Sequence, residues 1–394
     1  MVSKPKAVTA KALQALLTRI GSASSGVKAT LQERFQRDVQ IPRLIHRTSI
    51  LDTSTPKRSL RIMSIDMGIK NLAFCDSIIS YPEKDGLNAN MKVMRWEKIN
   101  LVSSATVSKT PSPSSGDISL DVDEDEGPYS LSVLSRTAYR LIKDTILKGN
   151  PDIILIEKQR WRSGGGSAIQ QWTVRVNTFE GMLWAILRTL SSESHSLGKK
   201  RDYQVFGVDP KRVGYYWLGQ RAEHLAGEKA SIVQSTQVDV AEDLSATKKM
   251  SRTKVEKKAK VALLRSWLAT TSTSTAPTSN DATPHISFTF DPQAEDTLRA
   301  LISPSKSNPT RRKRKDSTKE PKNAANTLDI SATELKKLDD ITDCFLQAAA
   351  WVSWESNRLQ LKKVWDRKRS DDGKVPEELG HEVLMDMVQE VGEG

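Results

Sequence analysis

The chain has 394 residues, 37% of them hydrophobic, enough for one large domain or two smaller ones but lean for a fully packed globule. Its 60 Lys and Arg outnumber 48 Asp and Glu, giving a net charge of +12 and a pI near 9.5, a balance that suits a polyanionic partner such as nucleic acid or, more blandly, a solvated basic surface. Two cysteines, Cys75 and Cys344, exclude a disulfide framework, and no apolar run reaches the ~18 residues of a membrane span, so a soluble protein of a reducing compartment is expected.

The first 32 residues contain five basic residues and no acid among many Ser, Thr and Ala, which suits a mitochondrial transit peptide and hence a matrix location. Residues 10–40 also carry two short amphipathic helical patterns joined by a Gly- and Ser-rich turn. Leu13, Leu16 and Leu17 share one face of the first, and Val27, Leu31 and Phe35 one face of the second. With Gly21 and the SGxKxxLxxR string from Ser25 to Arg34, this segment resembles the SAP motif of DNA-binding proteins. Residues 1–45 are therefore read as a DNA-binding hairpin, an ordinary hairpin or a cleaved presequence, and the three readings stay open.

Four polar stretches, near 102–127, 222–253, 269–285 and 303–328, hold too few apolar residues to offset the entropy of ordering and are read as flexible insertions. The last includes RRKRK at 311–315, either a nuclear address, a phosphate-binding tether or a solvated charge run. Between them RIMSIDM, NLAFCDSII and MKVMRWEKI predict three strands, YSLSVLSRTAYRLIKDTIL a helix, and PDIILIEKQR a buried strand of parallel type. A helix follows from about Ser167 to Leu190, then strand DYQVFGV, short helices after Pro210 and around Lys254–Ala269, and a long helix from about Ala332 to Leu359. This order describes an α/β fold with a mixed sheet flanked by helices over residues 58–365, with 366–394 as a tail.

Two core strands each deliver a carboxylate where the strand leaves the core: Asp66 in RIMSIDM and Glu157 in IILIEKQR. Functional groups gather at such strand ends in open α/β sheets. The late helix, TELKKLDDITDCFLQAAAW, adds Asp339, Asp340 and Asp343. A capping box at Ser331 and Glu334 would place these acids two to three turns inside it, beyond the reach of the helix dipole. From Ile341 onward that helix is apolar almost all round, as a buried helix is. Carboxylates converging from three elements repel one another unless cations intervene, and Mg²⁺ or Mn²⁺ prefers such oxygen ligands. Two such ions held ~4 Å apart can activate water and stabilise the leaving oxygen of a phosphodiester.

Asp66 in SIDMGIKNLA, Glu157 in LIEKQRWR and DDxxD at 339–343, in this order across residues 60–360, resemble the ribonuclease H-like nucleases, most closely the fungal mitochondrial Holliday junction resolvases related to bacterial RuvC. The resemblance implies a ribonuclease H-like fold and a catalytic metal-binding set of Asp66, Glu157, Asp340 and Asp343, with Asp339 unplaced. It further implies two Mg²⁺ or Mn²⁺ ions per site and a homodimer on a four-way DNA junction. Such an enzyme nicks two strands of like polarity symmetrically, leaving 5′-phosphate and 3′-hydroxyl ends, in mitochondrial DNA recombination.

Lys70 and Asn71 after Asp66, and Lys158, Gln159, Arg160 and Arg162 after Glu157, are candidate DNA contacts, with Trp161 a candidate for base stacking. Lys211 and Arg212 in VDPKRVGYYWLG, and Lys257 and Lys260 on a basic helix, complete the set; solvated charge is the bland alternative for each. Five scattered histidines exclude a zinc pattern. The absence of GxxxxGK[ST] and GxSxG argues against nucleotide-driven motors and serine hydrolases, and no small-molecule cofactor is expected. The alternatives are a sugar-kinase-like ATPase, a non-catalytic DNA-binding protein, and another nuclease of the same fold.

Overall fold

β1 (Leu60–Asp66), β2 (Leu72–Ser80) and β3 (Ala89–Ile99) form an antiparallel meander. The chain then rises through α3 (Leu131–Arg140), whose end winds into a π turn to Ile146 and a short 3₁₀ turn to Gly149. Asn150, at φ 50°, takes the left-handed conformation that reverses the chain into β4 (Ile153–Glu157), parallel to β1. α4 (Gln171–Ser196) leads to β5 (Gln204–Val208), parallel to β4, and α5 (Pro210–Gly214) and α6 (Arg252–Thr271) follow. β6 (Ile286–Phe290) pairs parallel with β3, before α7 (Pro292–Ile302), α8 (Leu338–Asp371) and α9 (His381–Gly392). The hairpin ahead of the sheet is α1 (Ala10–Arg19) and α2 (Lys28–Gln40).

The sheet order is β5-β4-β1-β2-β3-β6, a mixed six-stranded sheet with helices on both faces, the α/β layering that the order of elements in the sequence predicts. This computed structural model describes residues 8–44, 59–81, 87–102, 127–159, 171–196, 203–219, 252–271, 286–302, 338–371 and 381–392. Arg160, Trp161, Arg162 and the RRKRK run lie outside the described residues, as does nearly all of each polar stretch. Among the described residues no helix is long and apolar enough to cross a membrane.

β1 and β4 read as continuous apolar runs because both their faces are covered. Ile62, Ile153 and Leu155 belong to the core under α8, which continues beneath α6 and α7, whereas Met63, Ile65, Ile154 and Ile156 belong to the core on the other face with α3 and α4. Two indole N–H groups tie α8 down: Trp96 donates to Ile341 O and Trp217 to Leu346 O, each at 3.0 Å. Phe179 and Leu183 of α4 are fully buried in the core shared with α3. A second buried acid, Asp76 on β2, receives Arg61 through both carboxylate oxygens and Arg95 through one, at 2.8 Å, so its charge is neutralised within the fold.

A third core joins α1 and α2 to the distal half of α8 and to α9, through Leu13, Leu17, Phe35, Leu361, Val364 and Leu384. α1 ends in a Schellman motif: Ser22 N–H donates to Leu17 O and Gly21 N–H to Thr18 O, with Gly21 at φ 69°. The remaining carbonyls of that end meet donors from the body. Asn357 reaches Arg19 O at 2.8 Å and Arg43 reaches Ile20 O at 2.6 Å. Arg43 lies over the rings of Trp351 and Trp354, and burial pulls its guanidinium down to about 10, still charged at neutral pH.

Several expectations need correction. Val27 is 71% exposed, because it is the residue capping the start of α2, while Leu31, Phe35 and Val39 form the buried face. β6 and α7 were not expected: the short alternating ISFTF run follows a Ser/Thr-rich stretch and reads as its continuation. α6 runs for 20 residues rather than as a short helix, and residues 381–392 of the expected tail are helical. α8 extends to Asp371, well past Leu359, and its described start is Leu338; the Ser331–Glu334 capping box lies outside the described residues.

Candidate active site

β1 and β4 are in parallel register, Ser64 against Leu155 and Ile65 against Ile156. One step further brings Asp66 level with Glu157 at the open ends of both strands. Alternation puts both side chains on the face that α8 covers. Asp66 is buried, and its carboxyl hydrogen-bonds that of Glu157. Two carboxyl groups bond in this way only if one carries a proton. Burial, then the charge of Glu157 and that hydrogen bond, then the charges of Asp343 and Asp340 push the Asp66 carboxyl well above its usual range. Acids from three elements therefore act on one buried oxygen pair.

The acids of α8 are held differently, each against a lysine. Lys98 on β3 pairs with Asp340 at 3.1 Å, Lys260 with Asp343 at 3.0 Å, and Lys257 donates to Asp339. Burial raises the Asp343 carboxyl, and that effect exceeds the opposing pull of Lys260. Burial also raises Asp339, but the hydrogen bond and charge of Lys257 outweigh it and hold Asp339 below its usual value. Asp339 and Asp340 are the second and third described residues of α8.

Every donor in this cluster is a hard carboxylate oxygen, the type that Mg²⁺ or Mn²⁺ takes, and the raised Asp66 carboxyl marks charge that a cation would relieve. Among the described residues no three His, Cys, Asp or Glu side chains already stand at ligand spacing. The lysines occupy the helix acids instead. The donor chemistry fits a divalent ion once those lysines yield.

Of the candidate DNA contacts, Lys257 and Lys260 are thus committed to acids of the cluster rather than to an open basic face. Lys98, which sequence reasoning missed, joins them; on a strand of mixed polarity nothing distinguishes it from Lys92, which pairs instead with Asp291. Lys70 is exposed in the β1–β2 turn, its ammonium 5.9 Å from the Tyr129 ring and 5.8 Å from that of Trp172. Asn71 lies in the same turn, packed by its backbone against Gly68. Lys158 runs across Gly207, where any side chain would collide with it, and Gln159 N–H donates to Glu180 at 3.0 Å. Lys211 is exposed at the start of α5, and Arg212 reaches Gly21 O of the hairpin at 3.5 Å. These basic groups rim the sheet end and the hairpin junction without converging on the acids.

The family model described as "Mitochondrial resolvase Ydc2 / RNA splicing MRS1" matches residues 62–361, a span from β1 into α8 that includes all the acids of the cluster. The chain belongs to this family. Two curated relatives of the Ydc2/MRS1 member are both named "Cruciform cutting endonuclease 1, mitochondrial". The one from Schizosaccharomyces pombe is 30% identical over 160 residues, 40% of this chain and 52% of that protein. The one from Saccharomyces cerevisiae is 23% identical over 312 residues, 78% of this chain and 72% of that protein. The match thus spans about half the length of the first relative. The solved yeast mitochondrial Holliday junction resolvase Ydc2 is similar at 20% identity and a TM-score of 0.45, covering 91% of this chain and 98% of that one.

Proposed function

We propose that this chain is a divalent-metal-dependent endonuclease that resolves four-way DNA junctions in mitochondria. The observation that carries this reading is the siting of Asp66: a buried carboxyl bonded to Glu157 and facing Asp343 and Asp340, an arrangement that costs stability and has a use only if a cation enters. Both curated relatives bear the name of a mitochondrial cruciform-cutting endonuclease, which favours the same activity and location. The family name also covers an RNA-splicing protein, the source of the second reading, in which the chain binds structured nucleic acid without cutting it. A binding protein has no need of the acid cluster.

Asp66, Glu157, Asp340 and Asp343 would hold the ions, and bound ions would supply a water nucleophile and stabilise the leaving 3′ oxygen. The protein's own part is to gather these oxygens at one sheet end and to release its lysines as the ions enter. Freed from Asp340, Asp339 and Asp343, Lys98, Lys257 and Lys260 sit where a phosphate would take their charge. Lys70, Asn71, Lys158, Gln159, Lys211 and Arg212 hold flanking backbone. A homodimer places two such centres on one junction and accounts for paired nicks.

The test offers the full-length protein a four-way junction, a linear duplex and an RNA–DNA hybrid, each with Mg²⁺. Paired nicks in the junction alone, with 5′-phosphate ends, are expected, and Glu157→Gln is expected to bind the junction without nicking it. Binding of wild type with no nick in any substrate would establish the non-catalytic reading. Because the contacts are phosphate contacts, junction affinity is expected to fall at least tenfold between roughly 50 and 200 mM salt, read by gel shift.

A further inference from the structure

We propose that Gln347 is a positioning residue of the acid cluster, setting how far along the strands α8 holds its carboxylates. Gln347 is only 3% exposed and lies in the otherwise apolar stretch Leu346–Ala350 of α8. Its amide nitrogen points into the sheet, 3.0 Å from Ser64 Oγ, 3.3 Å from Ile65 O and 3.5 Å from Leu155 O. Two N–H bonds are thus shared among three oxygens on the two strands that carry Asp66 and Glu157. A buried amide is costly unless bonded, and an apolar residue would have filled this volume without that cost.

The placement has a metric consequence. Asp343 is one turn before Gln347, ~6 Å along the helix axis. Asp66 is two residues after Ser64 and Glu157 two after Leu155 on the same strand faces, ~6.6 Å along each strand. From one amide, all three carboxylates lie about the same step away toward the same end of the sheet. A slip of α8 that broke the amide contacts would move Asp343 relative to both strand acids at once. Trp96 and Trp217 tie α8 to β3 and to the segment after α5, whereas the Gln347 amide ties it to the two strands that carry the acids themselves. For cleavage this role rests on the nuclease reading; for ion binding it stands on the geometry.

The experiment compares full-length wild type, Gln347→Met and Ser64→Ala. It reads thermal unfolding by circular dichroism, Mn²⁺ binding by electron paramagnetic resonance, metal-free junction binding, and single-turnover cleavage against Mg²⁺. Methionine keeps the volume and loses the donor. It is expected to leave the unfolding temperature and junction affinity close to wild type while weakening Mn²⁺ binding by roughly 10–100-fold, with the Mg²⁺ dependence of cleavage moved in parallel. Ser64→Ala, which spares the two carbonyl contacts, is expected to give a smaller shift in the same direction.

A folded Gln347→Met protein with wild-type Mn²⁺ affinity overturns the role. So does a Ser64→Ala protein with wild-type Mn²⁺ affinity where Gln347→Met fails to fold. Wild type that binds Mn²⁺ but cuts no junction removes the nuclease reading, and the Mn²⁺ comparison still decides for or against Gln347. Wild type that binds no Mn²⁺ overturns both.

Discussion

Asp66→Asn is expected to abolish junction cleavage, by roughly 10³-fold or more, and at the same time to make the metal-free protein more stable. The first effect follows from losing an oxygen ligand at the centre of the cluster. The second follows from the same carboxyl's surroundings, because an amide in its place donates to Glu157 without needing a bound proton and carries no charge toward Asp343 and Asp340. A gain of about 1–2 kcal/mol, a few degrees in unfolding temperature, is the usual size when a strained functional site is relieved. The pH dependence has a definite sign. The folded protein holds the Asp66 proton above the ordinary value of 3.8 at which the unfolded chain releases it. Native stability due to this group is therefore complete below that value and declines as pH rises through the folded one. The advantage of Asp66→Asn should vanish near pH 4 and be largest at pH 8, read by thermal melts across that range in chelator. An Asp66→Asn protein that is less stable than wild type at pH 8 would mean that Asp66 has a cationic partner, and the case for an ion there would fail. Junction binding without metal should survive the substitution, since it draws on the basic groups at the rim.

Removing residues 1–44 is expected to unfold the body rather than merely weaken DNA binding. The deletion strips the cover from Leu361 and Val364 of α8 and takes Arg43 away from Trp351 and Trp354. It also leaves the Glu355–Arg358 pair short of two bonds, Arg43 N–H to Glu355 and Arg358 to Val39 O. Losing one partner of a buried charged network costs about 3–5 kcal/mol, and exposing that much apolar surface adds to it. Gly21→Ala tests the same junction with one methyl group. A Cβ there would collide with the Trp354 ring, and the left-handed φ adds a cost of its own, so a loss of about 3 kcal/mol is expected. Denaturant unfolding gives the number. Wild-type stability in Gly21→Ala would show that the hairpin is only lightly attached, and a presequence removed on import would again be an open reading. On the present contacts we propose that the mature protein keeps the hairpin.

Much of the sheet was legible because its strands announce themselves: uninterrupted apolar runs such as IILI can only be covered on both faces. The acids at positions 66 and 157 were legible for the same reason, as first charges after such runs. Asp76 shows the limit of that signal. It too is an acid in an apolar strand, yet two arginines from neighbouring strands neutralise it, and no local pattern in β2 separates it from Asp66. Pairing across a sheet depends on register, which periodicity along one strand does not carry. Lys98 and Gln347 were missed for this reason, since each gains its meaning from a side chain roughly 240–280 residues away in sequence. The docking of the hairpin was hidden as well. Leu13, Leu17 and Phe35 declare a buried face, but not what buries it.

The described part of α8 is one helix of 34 residues that carries the acids and, further on, the hairpin's anchorage. From Asp343 to Asn357, which grips Arg19 O, the rise is about 21 Å, close to six base-pair steps of duplex. A stiff rod therefore fixes the spacing between the acid cluster and the hairpin, so that neither can shift along the sheet without carrying the other.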